Sequence, residues 1–255
     1  MNFIISLSSA KDRRLHIEDE FSAKNISYHF FDAIQPNHIS SMEAKTGISL
    51  LESGLTAGEK ACFFSHVEVW NIMIEKQLPY VAVFEDDVFL SQKAYHFLRD
   101  FNWVPKDIHI IKLEMFEKYV LMSFNKVKLK KGQVLRKLEE KHLGTAGYIL
   151  SLKGAKMYLD YIKNKGVNEP LDRLMFESFL RDGQSSVYQM VTGLSAQADR
   201  IGNESLVSQL EFDRKNNRLN QKNHKYKLSL MQKLNRELVR LVYQIKKRFC
   251  KVGFY

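Results

Sequence analysis

Tyr80-Val81-Ala82-Val83-Phe84-Glu85-Asp86-Asp87 is the stretch on which the fold turns. Five apolar residues, partly β-branched, run without a polar interruption. Such a run fits a strand buried on both faces, as in a parallel sheet. Three carboxylates follow at once, and in open α/β sheets ligands bind beyond the carboxyl ends of the strands. In extended chain Glu85 and Asp87 point to one side and Asp86 to the other. Adjacent carboxylates repel, and partial desolvation raises their pKa values. A hard divalent cation held by oxygen ligands, Mg2+ or Mn2+, relieves both effects. The plainer alternative is a solvated acidic turn; the buried strand in front of the triplet favours a site.

Working outward, Thr56-Ala57-Gly58-Glu59 has the form of a capping box. After it Cys62, Phe63, Val67, Trp70, Met73 and Ile74 recur at helical spacing to about Gln77, and Pro79 stops the helix. Upstream, Phe3 to Leu7 is a first strand. Ser9 with Asp12 has the form of a helix start, and Tyr28 to Phe31 is a second strand. Downstream, strands are predicted at Ile108 to Leu113, from Val127 to Lys130 before a turn at Lys131-Gly132-Gln133, at Gly144 to Leu150, and at Ser186 to Val191. Helices are predicted from Ser151 to about Asn164 and from near Asp172 to Gly183. This alternation implies an α/β fold: a Rossmann-like, doubly wound, mostly parallel sheet flanked by helices.

The chain has 255 residues, 45% of them hydrophobic, enough for one large domain with an appendage. Two cysteines, Cys62 and Cys250, offer neither a disulfide framework nor zinc-finger spacing, which suits a reducing compartment. The short apolar N-terminus lacks a basic leader, and no run approaches the roughly 18 apolar residues of a membrane span. A cytoplasmic protein is the expectation.

Charge divides the chain into residues 1–213 and a tail of residues 214–255. The tail holds 13 Lys or Arg against one acid, net +12, and the body is left at −2. A nucleic-acid groove across the body is therefore disfavoured. Leu230, Leu234, Leu238, Leu241, Ile245 and Phe249 recur every three or four residues among Lys233, Arg236, Arg240, Lys246 and Lys247. This is a basic amphipathic helix. It suits the surface of an anionic membrane, where each basic residue contributes about 1 kcal/mol. Packing on the body or on a partner subunit is the alternative.

Several motifs, in order, carry a resemblance. These are Ile5-Ser6-Leu7 with Asp12-Arg13-Arg14; Phe31-Asp32-Ala33; and Leu55 to Glu59 with Ser65-His66 and Trp70. Phe84-Glu85-Asp86-Asp87-Val88 comes next, then Gly144-Thr145-Ala146 with Tyr148, Ser151 and Gly154-Ala155, and finally Pro170-Leu171-Asp172. Together they resemble glycosyltransferase family 25, the lipopolysaccharide-type and collagen-type galactosyltransferases, over roughly residues 2 to 205. Ser6 stands where the family more often has Asn, and Thr192-Gly193 where prolines are usual before Gln197-Ala198-Asp199.

The resemblance implies a GT-A-type fold and an inverting transfer from a UDP-hexose, galactose or glucose, to a lipooligosaccharide core sugar on a lipid-linked acceptor. The enzyme would sit peripherally on the inner face of the cytoplasmic membrane, with no nucleic-acid partner. It implies Asp87 and Glu85 as ligands of Mn2+ or Mg2+, with Asp86 helping to place the donor. It also implies Ser6, Leu7, Arg13, Arg14 and Thr145 at the donor. Guanidinium forks suit a diphosphate or a uracil edge, although Arg13 and Arg14 also read as an exposed basic pair. An inverting transfer needs a base for the acceptor hydroxyl, and Asp172 is the candidate beside Glu85 in the catalytic set. The alternative for Asp172 is a helix N-cap, and Glu114 is a rival base. His66, inside a helix, and His142, before Gly144, are weaker candidates. His142 reads more readily as a surface residue flanking a strand. Gly144 and Gly147 suit either close approach to a sugar or a bulge. Two other readings of the chain stand: a sugar nucleotidyltransferase, though no Gly-rich phosphate loop follows the first strand, and a non-catalytic adaptor acting through the tail.

Overall fold

A computed structural model describes residues 1–202 and 244–255. The chain begins with strand β1 (Asn2–Ser6), helix α1 (Lys11–Ser22), strand β2 (His29–Asp32) and helix α2 (Ile39–Thr46). Helix α3 (Ala57–Glu75), strands β3 (Tyr80–Glu85) and β4 (Val88–Leu90), and the short helix α4 (Tyr95–Leu98) follow. Next come β5 (Ile110–Lys112), β6 (Val127–Lys128), β7 (Val134–Lys137), β8 (Gly147–Ser151) and helix α5 (Leu152–Lys165). Helix α6 (Leu171–Arg173), a π-turn at Leu174–Ser178 and helix α7 (Phe179–Arg181) succeed one another without a break. Strands β9 (Tyr188–Met190) and β10 (Ser195–Gln197) complete the body.

Eight strands form one sheet in the order β2-β1-β3-β8-β5-β9-β7-β6, and β10 pairs with β4 in a second, two-stranded sheet. β2, β1 and β3 are mutually parallel, as are β5 and β9. β8 runs against both β3 and β5, and β7 runs against β9 and β6. The sheet is thus mixed and mostly parallel, α/β as expected. The refinement is the reversed central strand: Gly144 to Leu150, read only as a strand, lies antiparallel between two parallel groups.

Strand alternation sorts the buried residues into two cores, one on each face. Phe3, Ile5, Val81, Val83, Tyr148 and Leu150 pack against α3 residues Phe63, Val67 and Trp70 and against Tyr158 of α5. Ile4, Ala82, Phe84 and Ile149 pack against Ile17 and Phe21 of α1 and Phe97 of α4. Continuous apolar runs in β1, β3 and β8 are what a sheet covered on both faces requires.

The ends of these elements set the site. Helix α3 starts at Thr56, whose hydroxyl accepts from Glu59 N at 3.2 Å while the Glu59 carboxylate accepts from Thr56 N at 3.0 Å, the predicted capping box. Helix α5 is capped by Ser151, whose Oγ accepts from Gly154 N at 3.1 Å. Helix α1 corrects an expectation: its N-cap is Ala10 and Ser9 makes no side-chain cap. β4 and β10, three residues each, were not anticipated, because so short a run carries no periodicity to read.

Of the amphipathic tail, residues up to 243 lie outside the described residues. Residues 244–248 form a helical turn, with Ile245 52% and Phe249 72% exposed. The chain then turns into the body. Cys250 and Val252 are buried in the same core as α3, and Gly253 bridges to Thr192. Arg136 clamps this end, donating from Nη1 to Phe249 O at 3.3 Å and from Nη2 to Met122 O at 3.1 Å.

Candidate functional site

The carboxyl ends of β1 and β3 lie side by side, since Ile5 is in register with Glu85, and Gly147 at the start of the reversed β8 is in register with Phe84. Ser6, the triplet Glu85-Asp86-Asp87 and Thr145 therefore collect on one edge of the sheet. Alternation carries Glu85 to the face of Val81 and Val83, toward α3, and Asp86 to the face of Ala82 and Phe84, toward α1. β3 ends at Glu85, and Asp87 stands in the turn between β3 and β4.

Asp86 is tied on both oxygens. Arg13 of α1 donates from Nη1 to Oδ1 at 2.6 Å, and the Ser6 hydroxyl donates to Oδ2 at 2.7 Å. Arg13 also feels Asp87 and Glu85, so one guanidinium faces three carboxylates. Arg14 turns the other way. It donates to Leu7 O at 3.1 Å and Ser6 O at 3.0 Å, pairs with Asp32, and covers the Phe30 ring at 4.6 Å. Its bonds hold the turn after β1 closed, and they occupy the carbonyls of Ser6 and Leu7.

Asp87 is 4% exposed. Burial, first, and then the charge of Glu85 push its carboxyl from the ordinary 3.8 up to about 7, against the opposing pull of Arg13 and the Gln197 amide. Gln197 of β10 donates from Nε2 toward both Asp87 oxygens at 3.2 and 3.3 Å, and Ala198 N donates to Asp87 O at 3.1 Å. Glu85 exerts the larger charge effect on Asp87 and Asp86 the smaller.

Glu85 accepts from the Thr145 hydroxyl at 2.6 Å, and His66 Nε2 lies 3.7 Å from the same oxygen. His66 is wholly buried; its Nδ1 meets the Tyr148 hydroxyl at 2.7 Å, and Trp70 Nε1 donates to that hydroxyl at 2.9 Å. His66 thus stands at the site, linked through Tyr148 to the core. Its neighbour Ser65 serves the frame, donating to Ala61 O and accepting from Ile34 N.

Beneath the edge lies an ion pair that no sequence signal announced as such. Lys112 and Glu114 are both fully buried, with Nζ 2.9 Å from Glu114 Oε2, 2.6 Å from Gly144 O and 4.5 Å from the centre of the Phe176 ring. Burial pulls the Lys112 pKa down and pushes Glu114 up, each opposed by the other's charge. Glu114, considered above as a rival base, is instead part of this frame and also accepts from Ala146 N at 3.2 Å. Asp172 is 8% exposed in the first turn of α6. It makes no cap: the N-cap is Pro170. The charges of both catalytic candidates, Asp172 and Glu85, favour the protonated form of Lys112.

His142 corrects the sequence reading. It is 1% exposed, not a surface residue. Its Nε2 accepts from Glu117 N at 2.9 Å, so Nδ1 carries the proton and donates to Gln189 Oε1 at 2.7 Å. Both ring nitrogens are engaged, and burial holds its pKa well below the usual histidine value. It is a neutral strut and not a ligand. Gly144, with φ +86°, allows close packing of protein on protein: a Cβ there would lie 2.6 Å from both Glu114 oxygens.

The donor set at the edge is oxygen-rich and buried, with two more carboxylates than guanidinium groups around Arg13. Asp87 and Glu85 fit a hard divalent cation, whose charge would offset the crowding that raises the Asp87 carboxyl and replace the Gln197 Nε2 donor on its oxygens.

The residues of this constellation from Ser6 to Asp172, though not Gln189 and Gln197, fall within residues 1–175, which match the family model of glycosyltransferase family 25 (LPS biosynthesis protein). Lipooligosaccharide biosynthesis protein lic2B of Haemophilus influenzae is 37% identical over 224 residues, 84% of this chain and 83% of that protein. Lacto-N-neotetraose biosynthesis glycosyltransferase LgtB of Neisseria meningitidis serogroup B is 35% identical over 266 residues, 97% of this chain and 95% of that protein. Among solved structures, apo mouse xyloside xylosyltransferase 1 aligns with 72% of this chain and 69% of its own at a TM-score of 0.40 and 10% identity.

Proposed function

The chain belongs to glycosyltransferase family 25, and on that premise we propose that it moves a hexose, galactose or glucose, from a UDP-sugar to a core sugar of lipooligosaccharide. The acceptor class follows the names of the relatives. One observation carries the donor half of the reading: three carboxylates around a single guanidinium, with Asp87 buried and raised to about 7. Such a site favours a cation, and a cation favours a diphosphate.

Asp87 and Glu85 would hold Mn2+ or Mg2+, which when bound neutralises the diphosphate and assists its departure. The protein's own groups do the rest. Arg13, held by Asp86, which the Ser6 hydroxyl anchors in turn, keeps a positive charge at the β1 edge, where the donor phosphates would lie. Arg14 keeps the Ser6-Leu7 turn rigid beneath the nucleotide. Thr145 aims the Glu85 carboxylate. Inversion requires the acceptor oxygen to attack the sugar carbon opposite the leaving group. The new C–O bond forms as the bond to the UDP oxygen breaks, and the hydroxyl proton passes to a carboxylate, for which Asp172 is the candidate.

The acceptor would be lipid-linked, with the enzyme peripheral on the inner face of the cytoplasmic membrane. The tail's net charge of +12 and the exposed Ile245 and Phe249 beside Lys246 and Arg248 support contact with an anionic surface. Among the described residues no helix is long and apolar enough to cross a membrane. The deciding experiment is a screen of UDP-sugars with Mn2+, read as release of UDP. A single hexose turned over and lost in Asp87→Ala supports the reading; no UDP-sugar turned over with any divalent cation refutes it.

A further inference from the structure

Cys62 and His66 stand four residues apart on α3 and so share one face of the helix, the face that meets the end of β3. There the Cys62 thiol, the His66 imidazole and the Glu85 carboxylate each bring one donor atom within 4.8 Å of the others. Cys62 forms no disulfide and is half-buried. His66 Nε2 is fully buried and has no hydrogen-bond partner among the described residues. A buried polar nitrogen left in this way is destabilising unless something meets it. It is aimed at Glu85, 3.7 Å away, beyond hydrogen-bond reach.

That gap has the dimensions of a metal ion. Zinc takes thiolate at about 2.3 Å and imidazole or carboxylate at about 2.0–2.2 Å, so its tetrahedral ligand atoms lie roughly 3.3–3.8 Å apart. The His66–Glu85 edge, at 3.7 Å, is within a few tenths of an ångström of this, and rotation of the Cys62 side chain closes the rest. The outer partners are those of a metal site. The Tyr148 oxygen can accept the Nδ1 proton of His66, which leaves the Nε2 lone pair for a cation, and Thr145 steadies Glu85.

We propose that Cys62, His66 and Glu85 form a transition-metal site of zinc type, with solvent in the fourth position, distinct from the hard-cation site at Asp87. A thiolate and an imidazole select Zn2+ or Co2+ over Mg2+ and Mn2+. Binding releases the thiol proton to solvent as the metal–sulfur bond forms. Glu85 is common to both sites, so a zinc ion here withdraws it from Asp87. The site does not depend on the transferase reading, and its test uses no activity.

The full chain, stripped of metal, is titrated with Co2+ and followed by absorption. A thiolate-to-cobalt charge-transfer band in the near ultraviolet is expected, removed by one equivalent of Zn2+. Cys62→Ser abolishes the band and weakens Zn2+ binding by at least about a hundredfold, since even outer partners of a metal site contribute about ten- to a hundredfold. Asp87→Ala and Cys250→Ala retain the band. In the unaltered protein Zn2+ slows alkylation of Cys62, read by peptide mass. No band, a band that survives Cys62→Ser, or an alkylation rate indifferent to Zn2+ overturns the proposal.

Discussion

Asp87 and Gln197, 110 residues apart in the chain, face each other across the β4–β10 pair, the amide nitrogen 3.2 and 3.3 Å from the two carboxylate oxygens. This contact joins the acidic turn to a segment beyond the part of the chain that matches the family model, residues 1–175. Asp87 is also a buried acid whose protonation can be measured.

Because the Asp87 carboxyl is raised to about 7, a proton competes with any cation there. Affinity for Mn2+ should rise about tenfold per pH unit up to about pH 7 and level off above it. Calorimetric titration from pH 5 to 8 tests this, and a flat profile counts against Asp87 as a ligand. Asp87→Ala should lower kcat/KM by about a thousandfold, the several kcal/mol a cation supplies to a leaving phosphate.

The same shift affects stability without metal. The folded value lies above the unfolded one, so the contribution of Asp87 is complete below pH 3.8 and is lost as pH rises to about 7. The metal-free protein should lose on the order of a few kcal/mol across this window relative to Asp87→Asn. Parallel urea denaturation of the two proteins at pH 4.5 and 7.5 measures it.

Asp172 neither caps its helix nor sits at the surface. Asp172→Asn should lower kcat by about 10²–10⁴ and leave UDP affinity within about twofold, the pattern of a lost base. Equal losses in donor binding and in turnover would instead assign it to positioning.

Lys112 and Glu114 have no access to solvent. Lys112→Met leaves a buried carboxylate without its cation and should destabilise the fold by about 3–5 kcal/mol. Lys112→Met with Glu114→Gln should recover part of that loss. Gly144→Ala drives a methyl into the Glu114 carboxylate at a positive φ and should destabilise as well, by about 1–3 kcal/mol. Thermal unfolding of the four proteins reads these effects.

The proposed membrane contact of the tail and the packing of the last residues can be tested apart. Replacing the basic residues between 214 and 240 with Gln should weaken sedimentation with anionic vesicles, and leave unfolding unchanged. Removing residues 249–255 should instead lower stability, because Cys250 and Val252 lie in the core. Vesicle binding that survives the Gln replacements would end the reading of the basic tail as the membrane contact.

How much was legible depended on the range of the interactions involved. The bounds of β3 and the Thr56–Glu59 capping box were readable from a few adjacent residues, because a buried strand and a helix start are made by short-range rules. Glu85, Asp86, Asp87, Arg13, Ser6 and Thr145 stand out in the sequence by motif, and they lie together at one edge of the sheet. Gln197, the partner of Asp87, carries no such local signal, and the pattern around His142 reads as surface although the fold buries it.

The sequence by itself determined an α/β chain with an acidic strand end, a basic tail and a recognisable series of motifs, since these reside in local pattern and composition. Tertiary structure alone decided that β8 runs backward, that Arg13 serves Asp86 while Arg14 serves the backbone, and that Lys112 and Glu114 pair under the site. The physical reason is common to all three. A buried strand reads the same in either direction, and a charged side chain chooses its partner by what desolvation and distance leave within reach. Both are properties of segments brought together from far apart in the chain.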